Sequence, residues 1–219
     1  MKNRGEGPMR RLLLLGVAAI LALALSGCGG GGGDSRTIFV AQIVSDQQTD
    51  GDIAFNGTNF TITRGPDTLF FGIDDNDPNF PEYRAFLDFP LDGSTGQDVV
   101  PANAAIVSAT LKVFLDEVSF ATVVPTLIDL VPYPVSGLRP QDFNSPPLVF
   151  RRLDFFRSDQ GNFVAIDVTP LMQEAQRLGL SDFQVRFLLD FSVSDIGFIG
   201  IEDLPQVTIT APLLTVEYE

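Results

Sequence analysis

"SATLKVFL", residues 108–115, decides the fold class. In an extended chain Ala109, Leu111, Val113 and Leu115 fall on one side, and Ser108, Thr110 and Lys112 on the other. Side chains of a strand point alternately to its two faces, so this spacing predicts a strand with one buried and one wet face. "DFQVRFLLD" at 182–190 repeats the pattern, with Phe183, Val185, Phe187 and Leu189 set against Gln184 and Arg186. Near the end, Leu214, Val216 and Tyr218 alternate with Thr215 and Glu217. Further strands are expected at 37–44, 58–64, 68–73, 83–89, 122–131, 148–156 and 162–168. Turn-forming segments such as "DDNDPNFPE", "LDGSTGQD" and "SDQGN" separate them. About ten short strands so punctuated predict an all-β antiparallel sandwich or barrel rather than a parallel sheet.

One helix is expected near residues 170–178, in "DVTPLMQEAQRLGL". Thr169 can cap it, Pro170 suits the first helical position, and Gly179 can end it. Leu171, Ala175 and Leu178 form a narrow apolar stripe, which suits a lid over one end of a sandwich.

The start of the chain reads differently. Lys2, Arg4, Arg10 and Arg11 precede Leu12–Leu25, a run with no charge. As a helix that run is about 21 Å long, short of the roughly 30 Å of a bilayer's hydrocarbon core. Its order, basic then apolar then small residues, is that of a secretory signal over residues 1–27. Leu25-Ser26-Gly27-Cys28 resembles the lipobox of bacterial lipoproteins. The resemblance implies that Cys28 is acylated with palmitate-type chains, that the leader is cut before it, and that the bilayer is a partner. In that family an aspartate after the cysteine favours inner-membrane retention. Gly29 stands there, which points to the outer membrane or cell surface. The glycines at 29–33 make residues 28–36 a flexible tether to a single domain expected over 37–219.

Cys28 is the only cysteine, so the exported body has no internal disulfide and must be held by its core. Nineteen phenylalanines and many aliphatic residues supply one. Removing the leader takes away Lys2, Arg4, Arg10, Arg11 and Glu6 and moves the net charge from −14 to −17. Such a body repels nucleic acid, which is therefore not expected as a partner.

"YRAFLDFPL", "VVPANAAIVSATLKVFL", "FVAIDVTPLMQEAQRLGLSDFQVRFLL" and "APLLTVEYE" follow one another in this chain. Their order and spacing resemble the DNRLRE-type domains, relatives of a carbohydrate-binding module family found on bacterial surface proteins and polysaccharide-degrading enzymes. The resemblance covers most of 58–219 and implies a jelly-roll sandwich and polysaccharide binding. The chain departs from the family pattern in the helix after "DVT". A tryptophan is frequent there in the family; this chain has none anywhere and carries Ala175 and Gln176.

Flat aromatic rings stack on sugars, which makes Tyr83 and Tyr133 candidate ligand residues. Tyr133 lies between prolines in an expected loop, where a packed structural role is the more ordinary one. Asp75, Asp77 and Asn79 have the opening spacing of an EF-hand loop, but Phe80 replaces its glycine and Phe86 its last glutamate. A different calcium site, using Asp74, Asp75 or Asp77 with backbone carbonyls, competes with a plain solvated turn. Arg151, Arg152 and Arg157 cluster in "RRLDFFR", where guanidinium forks can hold an acidic polysaccharide. Pairing with neighbours such as Asp154 and Asp159 is the competing and more common role.

No histidine is present, which removes the usual general base and a common zinc ligand. No enzymatic activity is expected, with a glycoside-hydrolysing pair among the many carboxylates left as a third reading. Two readings stand ahead of it: a lipid-anchored glycan-binding module, or a non-catalytic scaffold lipoprotein with protein partners.

Overall fold

Strands that alternate apolar and polar residues must hide their apolar faces against each other. The computed structural model describes residues 36–65, 67–94, 98–204 and 210–219 and shows two antiparallel layers doing so. The leader, Cys28 and the glycine tether lie outside the described residues. Thr37–Glu219 form one unit.

In chain order the strands are β1 (Phe39–Val44), β2 (Gly51–Phe55), β3 (Phe60–Arg64), β4 (Thr68–Ile73), β5 (Glu82–Pro90) and β6 (Ile106–Ser119). β7 (Val123–Leu130), β8 (Val149–Phe156), β9 (Phe163–Asp167), β10 (Asp182–Leu189), β11 (Phe198–Glu202) and β12 (Leu213–Tyr218) follow. In the first layer, one edge of the long β6 pairs with β12 from Ile106 to Lys112 and with β11 from Phe114 to Ser119. Its other edge pairs with β9. β12 then carries β1, and β11 carries β4. The second layer runs β3-β2-β5-β10-β7-β8. The layers join where β4 meets β5, Gly72 opposite Tyr83 and Ile73 opposite Glu82. The result is the expected all-β, jelly-roll-like sandwich with one short helix.

The core lies between the layers. The Phe71 ring of β4 sits 5.6 Å from Phe187 of β10 and 6.0 Å from Phe155 of β8. Ala109, Leu111, Val113 and Leu115 of β6 are all fully buried, as their spacing predicts. Burying one such large apolar side chain contributes roughly 1.5–3 kcal/mol.

Two strands, β2 and β11, were not expected from the sequence. Four of the five residues in each are buried, so neither shows the alternation that marks a half-wet strand.

The helix, α1 (Thr169–Leu178), follows β9, and Gly179 ends it at φ 66°. Its cap differs from expectation. Val168 is the N-cap residue and Thr169 already belongs to the first turn. The Thr169 amide donates to Asp167 Oδ1 at 3.0 Å, while its Oγ1 accepts from the Ala109 amide at 2.9 Å. The threonine therefore ties the helix to β6 instead of closing its own end. Leu171, Met172 and Ala175 form the buried stripe, and Leu178 is exposed. α1 packs on β6 of the first layer and on β7, β8 and β10 of the second. No helix among the described residues is long and apolar enough to cross a membrane.

Candidate functional site

The outer face of the second layer would be wet if strand alternation were the whole story. Asp88 of β5, Gln184 and Arg186 of β10 and Asp129 of β7 all point there, opposite the core phase of their strands. Yet each is at least nine-tenths buried. The cover is the segment between β7 and β8. Its Val131, Tyr133, Leu138 and Phe143 settle on Ile53 and Phe86 as a second apolar cluster.

Polar groups beneath this roof need partners, because an unpaired buried charge costs several kcal/mol. Arg186 and Asp129 supply each other with one. The Arg186 guanidinium also donates to the Asp142 and Phe143 carbonyls at 3.1 and 2.8 Å, which holds the short turn Pro140–Asn144 over the strands. Gln184 Oε1 accepts from the Tyr133 amide at 2.8 Å.

At one end of this face lies a groove of about 590 Å³. The β1–β2 connection contributes Asp46, Gln48 and Thr49, and the end of β5 with its following turn contributes Asp88, Pro90, Asp92 and Ser94. Val135 and Ser136 come from the roof, and Ser181 and Asp182 from the start of β10. Four carboxylates thus meet hydroxyls and one amide, and among the described residues no lysine or arginine lines the wall.

Behind the groove the acids continue inward. Asp50 Oδ1 accepts from the Asp88 amide at 2.6 Å, Asp88 Oδ2 accepts from Thr49 Oγ1 at 2.8 Å, and Asp203 Oδ1 accepts from Ser45 Oγ at 3.2 Å. Gln184 lies opposite Asp88 and its side-chain amide helps hold that carboxylate, whereas among the described residues Asp50 Oδ2, Asp203 Oδ2 and Tyr133 Oη have no hydrogen-bond partner. Burial, which disfavours the charged form, pushes the Asp88 carboxyl up to about 6 and Asp203 to about 7. Asp50 rises well above its ordinary value through burial and then through repulsion from Asp203. Burial, followed by the charges of Asp50 and Asp88, also holds the Tyr133 phenol in its neutral form.

The residues singled out from the sequence do not converge on this groove. Tyr133 is 6% exposed and packs edge-on against Phe86, so its ring is a beam of the roof with no face open for stacking. Tyr83 is half-buried against Phe70 and Phe198 on β5. Arg151 pairs with Asp167 at 2.6 Å and Arg152 with Asp190 at 2.7 Å, neither being a partner expected from sequence proximity. Arg157 is exposed and donates to the Ala121 carbonyl. Arg151 also reaches the Asp167 backbone carbonyl, and so links β8 and β9, edge strands of the two layers.

In the 74–81 loop, Asp74 accepts from the Asn76 amide and Asp77 from the Asn79 amide, each closing its own turn. No three acidic, histidine or cysteine side chains among the described residues are grouped to hold a metal ion.

The groove's acids were overlooked because Asp46, Asp88, Asp92 and Asp182 are spread through the sequence, each in an ordinary turn or strand setting. The one available signal was Asp88 in "YRAFLDFPL", a carboxylate in mid-strand. Chemically the groove can accept hydrogen bonds from a ligand's hydroxyl groups, and its carboxylates favour a cationic group over an anionic one. No family model matches this chain, and no curated protein matches it.

Proposed function

We propose that this chain is a lipid-anchored module of the cell envelope that binds a glycan and catalyses no reaction itself. Acylated Cys28 is its link to the bilayer, supported by Leu25-Ser26-Gly27-Cys28 after a basic and then apolar leader. The observation that carries the binding reading is the groove: about 590 Å³, polar, and built from strand ends and their connections on a firm sandwich. Small-molecule sites commonly fall within about 300–1,000 Å³ and hold a few fixed polar groups.

The test uses the full chain, made in a bacterial host and solubilised from membranes in detergent. Affinity gels loaded with neutral, acidic and amino polysaccharides, with and without calcium, should retard it on at least one polymer. A Cys28→Ser variant should leave the lipid-modified membrane fraction. Unchanged mobility on every gel would abandon glycan binding.

A second reading, a scaffold for protein partners, draws on one feature. Among the described residues β1 pairs on one edge only, and Ile38, Phe39 and Val40 are each at least half exposed there. Such an edge can accept an added strand. A partner crosslinked at Val40, combined with unaltered mobility on all gels, would favour this reading.

A further inference from the structure

We infer that the apolar rim at the start of β1 rests on the bilayer to which Cys28 ties the chain, holding the sandwich in one orientation above the lipid. The inference rests on the lipid-anchor reading above and adds a contact which that reading does not require.

Contacts across three chain segments build the rim. Phe39 opens β1 and stacks on Tyr218 of β12, with ring centres 5.7 Å apart. Tyr218 Oη donates to the Val99 carbonyl at 3.3 Å, and Tyr218 stands opposite Ile106 at the start of β6. Val107 bulges out between Ile106 and Ser108, whose partners Tyr218 and Glu217 are consecutive. Ile38, Phe39, Val40, Val99 and Val107 are each between 42% and 55% exposed. Single exposed apolar residues are ordinary, but a joined set of them marks a surface that another body covers.

The chain leading to the rim says what covers it. Ile38 follows Cys28 by ten residues. Fully extended, that stretch reaches at most roughly 35 Å, so in any conformation an acylated Cys28 keeps the rim close to lipid. So short a link also makes docking an intramolecular event, for which a weak apolar surface suffices.

The other occupants fit less well. Asp98 Oδ2 accepts from the Gln42 amide at 3.0 Å, so an added protein strand would find one donor of β1 already taken. Anionic head groups repel this acidic body, which leaves apolar burial in the interface as the driving force.

The experiment uses the full chain, lipid-modified in a bacterial host and reconstituted into phosphatidylcholine vesicles with plain or brominated acyl chains. The chain has no tryptophan, so a single introduced one reports its own depth. Val107→Trp should lose at least about half its emission in brominated vesicles, as befits a side chain at the head-group boundary. Val123→Trp, past the far end of the 14-residue β6, should lose less than about a tenth and controls for tryptophan's own preference for interfaces. Adding Ile38→Asn and Val40→Asn, at side chains at least half exposed, should remove most of the Val107→Trp quenching with unchanged melting temperature. High salt should leave the quenching as it is, because charge does not drive it.

A chain that floats with the vesicles while Val107→Trp is quenched no more than Val123→Trp overturns the inference and leaves the anchor standing. Quenching that survives the asparagine pair, or that disappears in high salt, also overturns it. So does a vesicle-bound dimer with unquenched Val107→Trp, which would give the rim to a second copy. If the chain does not float with the vesicles at all, the anchor and the inference fall together.

Discussion

Arg186 and Asp129 face each other across adjacent strands β10 and β7, their side chains 2.5 Å apart and both 3% exposed. This is an ion pair placed where the alternation of both strands calls for solvent, and enclosed by the loop that follows β7. Its desolvation is offset only while both partners and the Asp142 and Phe143 carbonyls stay in place.

Arg186→Leu should therefore cost about 3–5 kcal/mol by stranding Asp129, measured as a shift in urea midpoint at constant slope. The double variant Arg186→Leu/Asp129→Leu should recover much of that loss. A double variant as unstable as the single one would show that the arginine acts mainly through the roof carbonyls.

The exposed arginines should behave in the opposite way. Arg151 pairs with Asp167 with side chains 37% and 57% exposed, so Arg151→Ala should cost less than about 1 kcal/mol. A larger loss in thermal melts would mean that β8 depends on this pair for its place.

Stability should fall as pH rises from about 4 to about 7. Asp52 and Asp88 are held near 6 and Asp203 near 7, chiefly by burial, against an ordinary value of 3.8. A folded-state pKa above the unfolded one means the fold binds more protons in that window. The contribution is complete below about pH 4 and is lost as pH passes the folded values. Melting should occur at least about 5 °C higher at pH 5 than at pH 8. Asp203→Asn should raise the pH 8 melting temperature, because a neutral amide can donate to the unpartnered Asp50 oxygen. A flat melting profile from pH 5 to 8 would contradict the burial of these acids.

Gly72 meets Gly197 where β4 pairs with β11. Its φ is 105°, and an added Cβ would stand 2.1 Å from the Gly197 carbonyl oxygen. Gly72→Ala should cost about 2–4 kcal/mol through backbone strain and overpacking. A neutral effect in chemical denaturation would mean the β4–β11 contact can open.

How far the sequence carried this picture depended on where each residue's surroundings came from. β6 and β12 were legible because each has one partly wet face, and β10 because its covered face still carries the polar Gln184 and Arg186, so alternation survives in the letters. β2 and β11 were not, being buried on both sides. Pro170 and Gly179 marked the helix through local backbone chemistry, whereas the tie from Thr169 to Ala109 spans sixty residues and leaves no local trace. The groove was hidden for the same reason. Asp88 and Gln184 look like surface residues until Tyr133 and its neighbours close over them. Tyr133 drew notice as a loop aromatic, but its ring is spent on that closure.

β1 lies against β12, with Phe39 opposite Tyr218 and Val44 opposite Leu213. The earliest strand of the sandwich therefore waits for the latest one to be synthesised before it has a neighbour to bond. Closing so long a stretch of chain is slow, because distant pairings must be bought with entropy before contacts repay it. A chain delivered from its N-terminal side would keep β1 unlatched until β12 had emerged.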